Sequence, residues 1–136
     1  MTSSAKNRLI KSVTDDFIPR HIKNGLILEA DEESIAPDLI IHDRKRDWLF
    51  LVDACHNSPP IDDRRRIELA SAFAKSGKHL VMFSAFSVQE SFSESAESIA
   101  WGTHVWIADT PDHMIHFNGE RFLGPYDENH HHVKTP

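Results

Sequence analysis

Residues 37–54 constrain the fold more than any other segment of the chain. Two short apolar runs, 39–41 and 48–52, are separated by the four charged residues 44–47. Both runs are rich in β-branched or aromatic side chains, which favour strands. The charged residues between them are typical of a tight turn on the protein surface. The segment therefore predicts an antiparallel β-hairpin.

Two aspartates lie at the open end of this predicted hairpin. Asp38 opens the first strand and Asp53 closes the second. Antiparallel pairing brings the chain back to where it started, so the two carboxylates are expected to meet. Carboxylate oxygens are the hard ligands that Mg²⁺ and Mn²⁺ prefer, so the hairpin predicts a divalent-metal site. By itself, Asp38 after a proline could also simply cap a turn.

The rest of the chain alternates apolar patterns of helical and strand period. The predicted order is helix, three strands, helix, strand, helix, strand and a terminal hairpin, which indicates an α/β fold with a central mixed β-sheet flanked by helices. The strand after the second helix is expected to run parallel to an earlier one. Three helices are predicted: residues 9–18, a second helix that begins at Asp62 or Asp63 and ends before Gly77, and residues 90–100. Strands are predicted at 26–28, 37–43, 48–54, 78–83, 103–108, 113–117 and 121–123.

The second predicted helix carries three consecutive cations in its first turn, Arg64, Arg65 and Arg66. Cations there oppose the helix dipole, so either neighbouring acids or an anionic ligand must compensate them. A solvated helix start without further role is the alternative. Pro19 is expected to end the first helix, and the buried face of the second is predicted to consist of Ile67, Ala70, Phe73 and Ala74.

Length and composition restrict the class of protein. The 136 residues predict one domain, residues 1–126, followed by a disordered tail, 127–136, that contains three histidines. The single cysteine and the lack of a long apolar run favour a cytoplasmic protein without a membrane span. A net charge of −6 argues against a surface that binds polyanions everywhere, although the arginine cluster is locally basic.

Three segments resemble a known family: residues 37–40, 64–69 and the long closing segment 101–126. Pro37-Asp38, fourteen further residues and then Asp53-x-Cys55, in this order of elements, resemble the PD-(D/E)XK nuclease core. The three segments together are similar to the catalytic domain of the BsuBI/PstI type II restriction endonucleases. The resemblance covers roughly residues 36–126.

This resemblance implies Mg²⁺-dependent cleavage of double-stranded DNA, with Mn²⁺ as an alternative metal. It implies that Asp38 and Asp53 are catalytic and hold the metal together with the carbonyl of Ala54. Family members usually carry an additional N-terminal DNA-reading domain, so the chain resembles a catalytic domain alone. Symmetric cutting of two strands also implies a homodimer.

The chain departs from the family pattern at two positions. A lysine is expected two residues after the second acid, where this chain has Cys55, and Asp53 stands where glutamate is more frequent. A thiol cannot supply the missing positive charge. The resemblance moves that cation onto the following helix, at Arg64, with Arg65 and Arg66 as DNA-binding neighbours. Arginine keeps its charge but does not act as a base, so Arg64 would stabilise the transition state.

Two other functions are compatible with these residues. Cys55 in place of lysine and the acidic net charge favour a catalytically impaired nuclease-fold module that binds DNA or a partner protein. A nuclease that acts in repair or on RNA is the other alternative. A thiol hydrolase built on Cys55 and His56 is disfavoured, because adjacent loop residues rarely present a thiolate to an imidazole.

Overall fold

The computed structural model describes residues 4–29 and 36–119. These residues fold into one mixed β-sheet with helices on both faces. The sheet has six strands in the order β1 to β6. Strands β1 to β3 are antiparallel, β3 to β5 are parallel, and β6 is antiparallel to β5. The strands are β1 (Gly25–Leu28), β2 (Leu39–Asp43), β3 (Trp48–Ala54), β4 (His79–Phe86), β5 (Thr103–Ile107) and β6 (Met114–Phe117).

The β2–β3 hairpin forms as predicted. Its register pairs Leu39 with Val52 at the open end and Asp43 with Trp48 at the turn. Asp47 adopts a left-handed conformation with φ of 60° in the turn, a backbone state that aspartate tolerates better than most residues. This register places Asp38 and Asp53 beside each other, one step beyond the last pair.

Helices cover both faces of the sheet, as alternating strand residues require. The helices are α1 (Ser4–Ser12), α2 (Ile18–His21), α3 (Asp63–Ala72) and α4 (Gln89–Ser95). On one face, Leu9 and Phe17 of the first helical segment pack against Phe50, Phe83 and Trp106. On the other, Leu69 of α3 packs against residues of β2, β3 and β4. The predicted α/β architecture is confirmed.

The first helical segment does not end at Pro19. A π-helical turn, Val13–Phe17, connects α1 to α2, and the helix continues to His21. Pro19 is the second residue of α2, directly after the π-helical turn, and the backbone stays helical from there to His21. The prediction of a helix end at Pro19 is therefore wrong.

The buried face of α3 also differs from the prediction. Ile67 is 60% exposed, whereas Leu69 is completely buried. Leu69 faces the sheet, and Ala70 and Phe73 pack beside it as predicted. Ala74 is exposed and begins a 3₁₀ turn after the helix, so its predicted burial is wrong. Gly77 does adopt the left-handed conformation expected after the helix, with φ of 71°.

Strand β4 extends to Phe86, three residues further than predicted, because Phe83–Phe86 pair with β5. The following helix α4 is shorter than predicted and ends in a 3₁₀ turn, Ala96–Ser98. The predicted strand at 121–123, the domain boundary at 126 and the tail 127–136 lie outside the described residues. Within the described part of the chain, no helix has the length and apolar character needed to cross a bilayer.

Candidate functional site

The two aspartates meet at the open end of the hairpin. The Asp38 carboxylate accepts a hydrogen bond from the Ala54 backbone N–H at 2.8 Å. In return, the Asp38 backbone N–H donates to Asp53 Oδ1 at 3.4 Å. A backbone N–H group at the end of β3 therefore holds the Asp38 carboxylate, and the N–H group of Asp38 holds the Asp53 carboxylate. The two acids are neighbours, as the antiparallel pairing predicts.

Arg65 is the cation that contacts Asp53. Its Nε donates to Asp53 Oδ2 at 2.8 Å and its Nη2 donates to Oδ1 at 3.2 Å, which is the two-pronged geometry of a guanidinium on a carboxylate. Nη2 also donates to the Ala36 carbonyl at 3.2 Å. The hydrogen bond to Asp53 raises the pKa of Arg65 further above its ordinary value, so the charge on this side chain is permanent.

Helix α3 begins in a way that directs Arg65 into the site. Asp62 caps the helix, and its carboxylate accepts a hydrogen bond from the Arg65 backbone N–H at 2.8 Å. Glu68 Oε1 lies 3.8 Å from Arg65 Nη1. Neighbouring acids therefore compensate Arg65 at the positive end of the helix, one of the two arrangements that the sequence allowed.

The other two arginines of this turn lie elsewhere. The Arg64 side chain is 89% exposed and its Nε is 3.8 Å from Glu68 Oε2. Arg64 lines the same cavity as the aspartates but does not pair with either of them. Arg66 is not among the lining residues, and its Nε is buried without a hydrogen-bond partner among the described residues. The structure thus brings Arg65, rather than Arg64, to the acids.

A cavity of about 420 Å³ opens at this point of the molecule. Its wall includes Asp38, Asp53 and Ala54 from the hairpin and the side chains of Arg64 and Arg65 from α3. The cavity therefore combines carboxylates with cations, which is the chemistry needed to hold a metal ion and a phosphate group together.

Lys6 of α1 reaches this cavity from the opposite side and was missed in the sequence. Its Nζ lies 3.4 Å from Asp38 Oδ2. A signal existed, because Lys6 precedes the buried positions Leu9 and Val13 at helical spacing and therefore lies on the face of α1 that meets the sheet. The first six residues are small or polar, and this composition obscured that spacing.

The carbonyl of Ala54, the predicted third metal ligand, already accepts protein hydrogen bonds. His56 N–H donates to it at 3.2 Å and Ser58 Oγ–H at 3.3 Å. Ala54 also lines the cavity. Its role as a metal ligand therefore requires one of these donors to yield, and it stays a prediction.

The donor set suits a hard cation. No group of three or more His, Cys, Asp or Glu side chains suitable for a metal occurs in residues 4–29 and 36–119. A cation at Asp38 and Asp53 would therefore complete its shell with backbone oxygen and water, as Mg²⁺ commonly does. Each carboxylate has about four lone-pair sites, so the hydrogen bonds described above leave acceptor capacity on both aspartates.

Cys55 follows directly after this site and is buried. Burial raises the pKa of its thiol to about 12, and the negative charge of Asp53 adds to the effect. A protonated, buried thiol is a poor nucleophile at neutral pH.

Comparison with known proteins gives consistent matches in sequence and in structure. The profile of the BsuBI/PstI restriction endonuclease domain matches residues 24–120. The type II restriction enzyme BsuBI of Bacillus subtilis is 33% identical, and the match covers 93% of this chain and 47% of that enzyme. The type II restriction enzyme AplI of Arthrospira platensis is 30% identical over 79% of this chain and 34% of its own length.

A solved structure supports the same relationship. The structure of the SdaI restriction endonuclease superimposes with a TM-score of 0.81 and 32% sequence identity, covering 93% of this chain and 47% of that chain. This match confirms the predicted restriction-endonuclease-like fold. The chain spans about half the length, or less, of the relatives it matches.

Proposed function

Because the chain belongs to the BsuBI/PstI restriction endonuclease domain family, we propose that it is the catalytic part of a type II restriction endonuclease. Its substrate is double-stranded DNA, and the reaction is the metal-dependent hydrolysis of phosphodiester bonds. The observation that carries this proposal is the convergence of Asp38, Asp53 and Arg65 in one cavity inside the matched region.

In this reaction a water oxygen forms a new bond to phosphorus and the bond between phosphorus and the leaving oxygen breaks. The proton of the water passes to solvent, and the leaving oxygen takes up a proton. A bound Mg²⁺, or Mn²⁺ in its place, supplies charge neutralisation at the phosphoryl oxygens and lowers the pKa of the water. Asp38, Asp53 and the Ala54 carbonyl are the oxygen ligands that we assign to it.

The arginines of α3 have different proposed roles. Arg65 keeps the Asp53 carboxylate in a fixed orientation through two hydrogen bonds, and its permanent positive charge at the cavity wall supports its proposed role as a DNA-binding residue. Arg64 lines the cavity and is exposed, which supports a contact with the DNA backbone, and a part in stabilising the developing charge is the larger role that its substitution tests. For Arg66, which does not line the cavity, we propose a DNA-binding role only.

One observation favours a second function. Both acids already have a protein cation next to them, Arg65 at Asp53 and Lys6 at Asp38. Carboxylates that are neutralised in this way fit a nuclease-fold module that binds DNA or a partner protein without cleaving. Assembly into a homodimer is a further proposal, which follows from the need to cut two strands.

Incubation of supercoiled plasmid with Mg²⁺ or Mn²⁺ tests the first function. We expect the wild-type chain to nick the plasmid, and Asp38→Asn and Asp53→Asn to reduce the rate at least about 100-fold. Asp63→Asn is the matched control, because Asp63 is an exposed acid of the same helical turn that does not line the cavity. Wild-type nicking no faster than that of Asp53→Asn would refute catalysis.

A calorimetric titration with Mn²⁺ separates the two functions. Binding in the micromolar to millimolar range that disappears in Asp53→Asn contradicts the inert module. Undetectable binding in the wild-type chain contradicts the metal-dependent enzyme.

A further inference from the structure

We propose that Lys6 is an exchangeable cation of this site, which neutralises Asp38 in the free protein and transfers to a DNA phosphate oxygen when a divalent cation binds. The proposal rests on the proposed function, because it assigns to Lys6 a contact with the nucleic-acid substrate.

The two acids differ in how firmly each holds its protein cation. Arg65 makes two hydrogen bonds to Asp53 and a third to the Ala36 carbonyl, and its backbone is fixed by the cap of α3. Lys6 makes a single contact with Asp38 at 3.4 Å, which is longer than the 2.7–2.9 Å typical of a charge-assisted hydrogen bond. The Lys6 ammonium is therefore the cation that can leave its carboxylate at the smaller cost.

The backbone of Lys6 is anchored while its side chain is free to move. Leu9 and Val13, on the same face of the helix, are buried against the sheet and hold α1 in place. The Lys6 side chain is 30% exposed and lines the cavity. A lysine has four rotatable side-chain bonds and three donors, so its ammonium can reach a neighbouring oxygen without a change in the backbone.

Electrostatics gives the direction of the exchange. A divalent cation at Asp38 replaces the charge that Lys6 supplied and repels its ammonium. A phosphate group in the cavity brings negative charge, and lysine binds phosphate as a point charge.

This exchange predicts effects of opposite sign in one variant. Lys6→Met removes a competitor of the divalent cation at Asp38, so the affinity for Mn²⁺ should rise about three- to tenfold. The same change removes one phosphate contact, so duplex DNA should bind more weakly, and the slope of log K against log salt should fall by about 1. A residue that only supports the structure would weaken both kinds of binding or neither.

The experiment measures Mn²⁺ affinity by calorimetry without DNA, and the salt dependence of binding to a short duplex in Ca²⁺ by fluorescence anisotropy. Lys6→Arg should keep the wild-type salt slope, since it keeps the charge. Lys11→Met is the matched control, because Lys11 lies on the same helix but is exposed and pairs with Asp15 instead; neither quantity should change in it. Circular dichroism checks that each variant is folded.

Unchanged or weaker Mn²⁺ binding in Lys6→Met overturns the proposal, and so does an unchanged salt slope. Neither readout requires cleavage. Failure of the wild-type chain to nick plasmid would therefore count against the proposed catalytic function, and the two results are distinguishable.

Discussion

The β2–β3 hairpin carries aspartates at both of its ends, and the two ends have opposite characters. At the turn, Asp43 is 1% exposed and accepts hydrogen bonds from the backbone N–H groups of Lys45 and Arg46 at 3.1 and 3.2 Å. Arg46 Nε adds a third hydrogen bond at 2.6 Å. At the open end, Asp38 and Asp53 are partly exposed and line a cavity.

The surroundings of Asp43 bury its carboxylate under the Arg46 side chain. The Arg46 guanidinium that contacts Asp43 also lies over the Trp48 ring, 4.1 Å from its centroid. Burial alone would raise the pKa of the Asp43 carboxyl, but the hydrogen bonds and charge of Arg46 hold the pKa below its ordinary value. Residue type therefore does not separate a structural acid from a reactive one. Burial and position separate them: Asp43 is almost completely buried, whereas the side chains of Asp38 and Asp53 are partly exposed and line the same cavity.

Substitutions at the two ends of the hairpin should differ most in their effect on the rate of plasmid nicking. Asp53→Asn should reduce plasmid nicking at least about 100-fold, because it removes a charged metal ligand. Asp43→Asn should leave the rate per folded molecule within about twofold, because Asp43 contacts neither the cavity nor α3. Equal losses of nicking rate in Asp53→Asn and Asp43→Asn, measured at the same concentration of folded protein, would show that the two ends of the hairpin do not differ in function.

Stability should show the reverse order. Asp43→Ala leaves two backbone N–H groups in the turn without their acceptor and removes a charge-assisted hydrogen bond, so we expect a loss of about 2–4 kcal/mol in the free energy of unfolding. Asp38→Asn keeps an oxygen for the Ala54 N–H and should cost about 1 kcal/mol or less. Urea unfolding of both variants measures the difference, and a larger loss in Asp38→Asn would contradict this comparison.

The two arginines that line the cavity at the open end should contribute unequally to the rate of nicking. Arg65→Ala should slow nicking about 10- to 100-fold, because Asp53 loses the guanidinium that orients it. Arg64→Ala should slow it only a few-fold, through a lost phosphate contact, and mainly at low salt. A larger effect of Arg64→Ala would favour the sequence-based assignment of Arg64 as the catalytic cation.

The smallest expected effect is the pH dependence of the turn end. The pKa of Asp43 is lower in the folded protein than in the unfolded chain, so its charge stabilises the fold above the ordinary pKa of 3.8. This contribution is lost as the pH falls through the lowered folded-state value. The gap in urea midpoint between wild type and Asp43→Asn should therefore be constant from pH 7 to about 5 and narrow below about pH 4. A gap that widens in acid would be inconsistent with a lowered pKa.

The sequence was sufficient for the hairpin and its acids because both depend on local patterns. Alternating apolar runs determine the strands, and antiparallel pairing alone brings Asp38 to Asp53. The cap at Asp62 was equally local, since an aspartate before a helix accepts from N–H groups of the first turn.

The cations of the site could not be assigned in the same way. The rotation of α3 about its axis decides which of the three arginines 64–66 faces Asp53. This rotation follows from the burial of Leu69, whereas the sequence pattern had predicted that Ile67 is buried. Lys6 reaches Asp38 from a helix more than thirty residues away in the chain, through the packing of α1 on the sheet. The helical spacing from Lys6 to Leu9 and Val13 indicates which face of α1 Lys6 occupies, but it does not indicate that this face meets Asp38.

We expect the open end of the hairpin, and not its turn end, to bind the divalent cation. Crystals grown with Mn²⁺ test this directly through the anomalous scattering of the metal. An anomalous peak should appear within coordination distance of the Asp38 and Asp53 carboxylates, with Lys6 Nζ displaced from Asp38. No peak at these acids under saturating Mn²⁺, with Lys6 still paired to Asp38 and Arg65 to Asp53, would contradict it.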